Sequence, residues 1–466
     1  MKVGDTVKHP DFGQGRVLAI FDVAEGRSHG GRRTVCNVDF GYMRQHGIAI
    51  DQFDASDQAD TVANNLKSGT ATTRKSGVHP VLADDTAVAR AGINALKLGQ
   101  VLETQVERLT VGTDKDEGDF ESIFDHAKSR KSKLILIEGA WGVGKTHLLT
   151  LLTAHALKRK FAVSATILDG CAASLSDPMR LLECITAGIR FPNDKVPMGI
   201  GLRLGEVKQR AMLELMGMGG DRLYKVLREV SASSLEDPEV IGVLEDYLGL
   251  SLAATQAASR LRQLGCGSIS LPPLRARSID ERGARFSELL VEWAAFSVAC
   301  KASGLLVVLD ELDVDYAFAP RWNTDRRARQ DMTLRAIGAI RKSKIPLVIA
   351  FGSAPAGPGG NSANDAVKDV QEKVGGVDLH TEAAKLTVAN FHDLGQKIYE
   401  LYEDSYPGFS RKFPKNDLRS VLNALDVSYR RQISPVPRRY VRALLHCFDT
   451  IDLGISSSTE LLANLQ

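Results

Sequence analysis

Gly139-Ala140-Trp141-Gly142-Val143-Gly144-Lys145-Thr146 is a full match to the pattern G-x-x-x-x-G-K-[ST]. Residues of these types at this spacing handle polyphosphate. The glycines let backbone N–H groups close on phosphate oxygens, the lysine reaches those oxygens, and the threonine hydroxyl ligates Mg²⁺. An apolar run, "KLILIE", leads into the loop, and a helical pattern leaves it through His147 to about Arg159. Residues 139 to 147 are therefore the candidate nucleotide-binding set. Trp141 is expected to pack on a neighbouring element, since burial is the usual energetic contribution of an aromatic ring. Stacking on a base is the alternative.

A phosphate loop needs a second, acidic site, and "LLVVLDELD" supplies one at the end of an apolar run. Asp310 at that strand tip can hold the Mg²⁺ shell, as a Walker B aspartate does. Glu311 is then placed to orient and deprotonate an attacking water. Asp313 and Asp315, just beyond, read as a solvated turn. The next apolar run, "PLVIAFGS", ends in Ser353. That serine is either a sensor of the γ-phosphate and lytic water, as in additional-strand ATPases, or a turn residue. Kinase chemistry is disfavoured, because no acceptor-binding motif accompanies the loop.

Two arginine-rich stretches follow. Pro320 to Lys344 holds eight basic and two acidic residues, and Arg411 to Arg442 holds nine and two. Such runs are most often solvated helix faces. The alternatives are a γ-phosphate sensor, a nucleic-acid track, or an arginine finger acting across a subunit boundary, with Arg326, Arg327 and Arg329 as candidates.

The elements that position these residues are legible in outline. With 466 residues, 44% hydrophobic and 25% charged, the chain has the composition of a soluble globular protein of two or three domains. A formal charge of +2 gives no general reason to expect nucleic acid. Six scattered cysteines lack metal-ligand spacing, and no run has signal-peptide or membrane-spanning character. A cytoplasmic protein without a membrane partner is expected. Residues 1–55 show short alternating runs between glycine turns and read as a small β-barrel. Residues 56–84 are polar and aperiodic, a flexible linker. From Asp85 a helical pattern with Val88, Gly92, Ala95 and Leu96 on one face stops near Gly99. Four apolar strands alternate with helices over 85–385, which implies a parallel sheet covered on both faces. About 165 positions separate Lys145 from Asp310, so a helical insertion at about 200–283 is required. Within it Ser234 could cap a helix with Pro238 in its first turn. Residues 386–466 read as a C-terminal helical lid.

Together, "GAWGVGKTHLL", "VVLDELD", the polar end of the fourth strand and "SPVPRRYVRALL" resemble a AAA+-type ATPase of the initiator and clamp-loader branch. More narrowly, "INALKLGQVLETQVERLTVGTD" and "LTVANFHDLGQKIYELYEDSYPG" resemble the ATP-binding proteins of BREX-type bacteriophage defence, over roughly residues 85 to 450. The resemblance implies ATP as ligand, a core ATPase sheet with a helical lid, and a role beside a helicase or methyltransferase. It also implies that Arg438, in "VPRRYVR", matches the lid arginine that contacts the γ-phosphate. The Trp141-Gly142 pair is similar to KAP and STAND-type P-loop proteins, so a nucleotide-gated switch or scaffold with slow turnover stands as the other reading. The N-terminal "VKHPDFGQGRV" resembles the Tudor-like barrel of UvrD-type helicases and the polymerase-binding barrel of CarD-type proteins. Its charges balance, seven against seven over residues 1 to 55, which favours a protein partner over direct DNA binding. The expected protein is thus an α/β P-loop ATPase, homo-oligomeric, acting on or beside DNA in a defence complex.

Overall fold

The computed structural model describes residues 6–9, 13–24, 32–39 and 44–49 as strands, and residues 85–457 and 460 apart from 193, 195–202, 204–217, 231–236, 277, 318–323, 356–361, 384–385 and 431–436. The linker of 56–84, most of the "RSHGGRR" stretch and Ser234 lie outside these residues.

The N-terminal strands are β1 (Thr6–His9), β2 (Gly13–Ala24), β3 (Arg32–Asp39) and β4 (Arg44–Ala49). They pair antiparallel in sequence order, with register shifts in β2 between Val17 and Ala19 and in β3 between Cys36 and Val38. Bulges of this kind bend strands and increase their twist.

The second sheet has five strands: β5 (Lys133–Glu138), β6 (Phe161–Ile167), β7 (Gly304–Asp310), β8 (Leu347–Ser353) and β9 (Leu379–Glu382). All pairs are parallel, and the order is β6-β7-β8-β5-β9. The period-2 geometry of a strand sends alternate residues to opposite faces. Leu134 and Leu136 of β5, Leu305, Val307 and Leu309 of β7, and Leu347, Ile349 and Phe351 of β8 enter one hydrophobic cluster. Ile135 and Ile137, Leu306 and Val308, and Val348 and Ala350 enter the cluster on the other face. Both faces are buried, which is why these strands read as unbroken apolar runs. The strand β9 has half-exposed and exposed residues and no such run, so it went unread in the sequence.

A third cluster joins the helix Asp85–Lys97 to helices from the C-terminal part of the chain. The helix Asp85–Lys97 contributes Ala89, Ile93 and Leu96, which pack with Phe391, Leu394, Ile398, Tyr402, Leu444 and Phe448 of the helices Val388–Ser405 and Pro437–Asp452. The buried face of Asp85–Lys97 therefore turns on Ala89 and Ile93 rather than on Val88, which is half-buried. Gly99 ends this helix at φ +77°, its N–H donating to Leu96 O and that of Gln100 to Ala95 O, both at 2.9 Å. These are the bonds that satisfy a helix C-terminus through a left-handed residue.

Helices Asp221–Glu229, Pro238–Leu248, Ala254–Gln263 and Ile279–Ala299 occupy the stretch between β6 and β7. Asp237, directly before Pro238, caps its helix by accepting from Glu239 N at 2.8 Å. Among the described residues no helix is long and apolar enough to cross a membrane.

Candidate functional site

The order of the sheet sets the site. With β8 between β5 and β7, the loop after β5, the tip of β7 and the end of β8 lie side by side. Gly139 N–H donates to Ser353 O at 3.1 Å, which ties the start of the phosphate loop to the end of β8. A Cβ on Gly139 would stand 2.9 Å from both Ala383 Cβ and Val143 Cγ2, so no larger residue fits. Gly142 and Gly144 take φ of +82° and +118°, which glycine adopts without steric cost. The helix Lys145–Lys158 starts directly from Gly144. Its first N–H groups have no partner within the helix and carry the positive end of its dipole, which is the physical basis of an anion site.

Lys145 and Thr146 both turn to Asp310. The Thr146 hydroxyl donates to Asp310 Oδ2 at 2.8 Å, and Lys145 Nζ lies 3.4 Å from Asp310 Oδ1. Lys145, Asp310 and Asp313 are all buried. Gly352 of β8 makes this arrangement possible, because a Cβ there would sit 2.3 Å from Asp310 Oδ1. Gly352 is a functional position the sequence reading missed; a glycine inside a buried strand is the signal that could have found it.

Glu311 follows with φ +61°, an unfavourable backbone for a residue with a side chain. Its N–H donates to Asp310 Oδ1 at 2.8 Å. Burial, and then the charge of Asp310, raise the Glu311 pKa above the ordinary carboxylate value, while Lys145 and Arg438 pull it back. Ser353 is fully buried, with its hydroxyl donating to Ala354 O at 3.4 Å.

Asp313 and Asp315 do not form a solvated turn. The chain passes straight from the tip of β7 into the helix Leu312–Ala317, and that turns both carboxylates inward. Asp313 Oδ1 accepts from Ala354 N at 2.8 Å and lies 3.8 Å from Lys145 Nζ. Asp315 is fully buried and accepts from Ser174 Oγ at 2.6 Å, Leu175 N at 3.0 Å and Gln330 Nε2 at 3.1 Å. Arg326 pairs with the same carboxylate at 3.4 Å, and Arg327 pairs with Asp369 at 3.4 Å and lies over the Tyr316 ring. These two candidate fingers are thus held inside the subunit by charges the sequence order did not place beside them.

Trp141 is the other correction. Instead of packing on a neighbouring element it is 63% exposed. It lines the pocket beside the phosphate loop, which is consistent with the alternative of stacking on a base. His147 turns from the loop towards the helix Glu103–Leu109, with Nε2 2.8 Å from Thr110 Oγ1. Burial, and then the charge of Lys397, push its pKa down to about 4, so the ring is neutral at physiological pH.

The remaining wall comes from the terminal helices. Arg438 N–H donates to Gly142 O at 3.4 Å, and its exposed side chain crosses Gly99, where a Cβ would meet Arg438 Nε at 3.0 Å. Between loop and helices runs a pocket. The phosphate loop, Glu311 and Arg438 line it together with the apolar Leu96, Val101, Val111, Leu386, Leu394 and Val441. A lining that combines charged and apolar groups suits a ligand with both, as a nucleotide has in its phosphates and base.

A parallel five-stranded sheet with helices, a glycine cradle at a helix N-terminus and an acidic strand tip beside it define an α/β protein compatible with a P-loop-like fold. Residues 85–176 match the family model of the BREX system ATP-binding protein BrxC/D. No curated protein matches the chain. Among solved structures, a chain from the E. coli MS115-1 HORMA:CdnC:Trip13 complex is similar at 10% identity with a TM-score of 0.34, over 74% of this chain and 91% of that one.

Proposed function

We propose that this protein binds ATP between the phosphate loop and the terminal helices and hydrolyses it, as an AAA+-like component of a BREX-like phage-defence complex. One observation carries the reading: Thr146 and Lys145 of the loop converge on Asp310, with Glu311 the next residue at the same strand tip. The interposed strand β8, an arrangement typical of additional-strand ATPases, and the BREX family match support it.

In this reading Lys145 leaves its carboxylates for phosphate oxygens, and Glu311 takes the proton of the attacking water. Ser353 senses the γ-phosphate from the end of β8, and Arg438 from the lid. Asp310 and Thr146 offer the hard oxygen donors that Mg²⁺ takes, and when bound that ion would screen phosphate charge. The core spans 85–385 and the lid 386–466, with the helix Asp85–Lys97 packed into the lid's cluster. The N-terminal four-stranded sheet docks a protein partner such as a helicase or another defence subunit. DNA is met directly or through that partner, in a cytoplasmic homo-oligomer.

Phosphate release, measured with and without duplex DNA, tests the proposal. Stimulation by DNA fits a motor or loader. A slow rate indifferent to DNA fits the KAP- or STAND-like switch, and no release at all would overturn hydrolysis while leaving binding to calorimetry.

A further inference from the structure

Asp313 is a buried charge beside the phosphate loop that takes no part in the phosphate contacts or water activation proposed for the site. It stands on the first turn of the helix Leu312–Ala317 and touches two of the site's parts at once. Its Oδ1 accepts from the N–H of Ala354, the residue after Ser353, at 2.8 Å. The same oxygen is 3.8 Å from Lys145 Nζ, so the ammonium lies between Asp313 and Asp310, with all three side chains about nine-tenths covered.

We propose that Asp313 is a positioning residue of the nucleotide site, which seats Lys145 and anchors the end of β8 beside the phosphate loop. The inference rests on the reading of that loop as the ATP site. Two consequences separate its parts. As a charge, Asp313 competes with phosphate oxygens for one ammonium, and it repels the incoming polyphosphate. As an acceptor, it fixes Ala354 and with it the Ser353 carbonyl that receives Gly139 N–H.

The substitution Asp313→Asn removes the charge but keeps an oxygen that can accept from Ala354 N–H. Asp313→Ala removes both. Calorimetry should show Asp313→Asn binding ATP and ADP about three- to tenfold more tightly than wild type, the scale of one lost competing ion pair. Its kcat should lie between those of wild type and Asp313→Ala, because the acceptor for Ala354 N–H is kept while the charge beside Lys145 is lost. Asp313→Ala should lose about tenfold or more in kcat, because the end of β8 is no longer held. A merely structural role would lower the melting temperature of both variants without tightening either nucleotide. The proposal is overturned if Asp313→Asn binds ATP no more tightly than wild type, or if Asp313→Ala turns over at the wild-type rate. Lys145→Ala, measured alongside, keeps the two levels apart. Weakened ATP binding in that variant leaves any failure with Asp313, and wild-type binding in it sinks the site assignment and this inference together.

Discussion

Thr146 and Asp310 are 164 positions apart in the chain, and their hydroxyl and carboxylate meet at 2.8 Å. The bond joins the phosphate loop to the acidic strand tip across the intervening strand β8, and it defines where charge is handled in this fold. Residues on either side of it should fail in different ways. Lys145→Ala should weaken ATP binding at least about tenfold, since a hydrogen bond to a charged group contributes about 1.5–3 kcal/mol. Glu311→Gln should bind ATP nearly as wild type and lose about a hundredfold or more of its turnover, the scale of general-base catalysis. Calorimetry and phosphate release measure the two effects, and a Glu311→Gln protein with wild-type turnover would remove Glu311 from the role of base.

The environment of Glu311 sets a pH dependence. Burial and the neighbouring Asp310 raise its pKa above the usual carboxylate value. A base acts deprotonated, so kcat should be lost as pH falls through that raised value, at a higher pH than an ordinary glutamate would give. A profile of kcat from about pH 4 to pH 8 reads this limb directly. An acid limb no higher than that of a model carboxylate would contradict the assignment.

The loop and the strand tips were legible because short motifs fix local chemistry: a glycine cradle before Lys145, and apolar runs ending at Asp310 and Ser353. The burial of both sheet faces was legible for the same reason. What escaped depends on pairings distant in sequence. Asp315 looks like a turn residue until Ser174, Leu175 and Gln330 close around it. Trp141 looks like a packing residue, yet it lies 63% exposed at the pocket beside the loop. The strand β9 has no apolar run because it sits at a sheet edge. Where the helix Asp85–Lys97 would pack was equally hidden, since its apolar stripe fits the C-terminal helices or the sheet equally well by pattern alone.

Gly352 makes a prediction from crowding. A methyl at this position would lie 2.3 Å from Asp310 Oδ1 and 2.6 Å from Leu149 Cδ1. Gly352→Ala should therefore displace the carboxylate and reduce ATP turnover about tenfold or more, a shift of about an ångström being enough for that. Melting curves would show the accompanying cost of overpacking, about 1–3 kcal/mol. Wild-type turnover in a Gly352→Ala protein would mean that Asp310 tolerates movement.

Asp315 is a stability residue. It is fully buried and holds together Ser174, Leu175, Gln330 and Arg326. Removing the carboxylate leaves several buried donors and a guanidinium without their partner. Asp315→Ala should cost about 3–5 kcal/mol in denaturant unfolding. Arg326→Ala should be strongly destabilising for the same reason, and its loss of activity should follow the loss of folded protein. If Arg326→Ala instead folds like wild type and loses only turnover, Arg326 acts in catalysis rather than in this network.

Arg438 links three parts of the pocket. Its N–H reaches Gly142 O in the phosphate loop, its side chain crosses Gly99 at the end of the helix Asp85–Lys97, and its charge lowers the Glu311 pKa. An exposed guanidinium that lines the pocket can turn onto a γ-phosphate, which ADP lacks. Arg438→Ala should therefore reduce the preference for ATP over ADP by about tenfold, the scale of one charged hydrogen bond. Folding should be little affected, because Tyr440, Val441, Leu444 and Phe448 bury the same helix independently of Arg438. Gly99→Ala gives a second line of attack, since it strains a φ of +77° and places a methyl against Arg438 Nε. It should shift ATP affinity in the same direction as Arg438→Ala, and the two changes together should be less than additive. Titrating both nucleotides into each variant measures this. If Arg438→Ala leaves both affinities where they were, the sensing role passes to Arg439 or Arg442, the other exposed arginines of that helix.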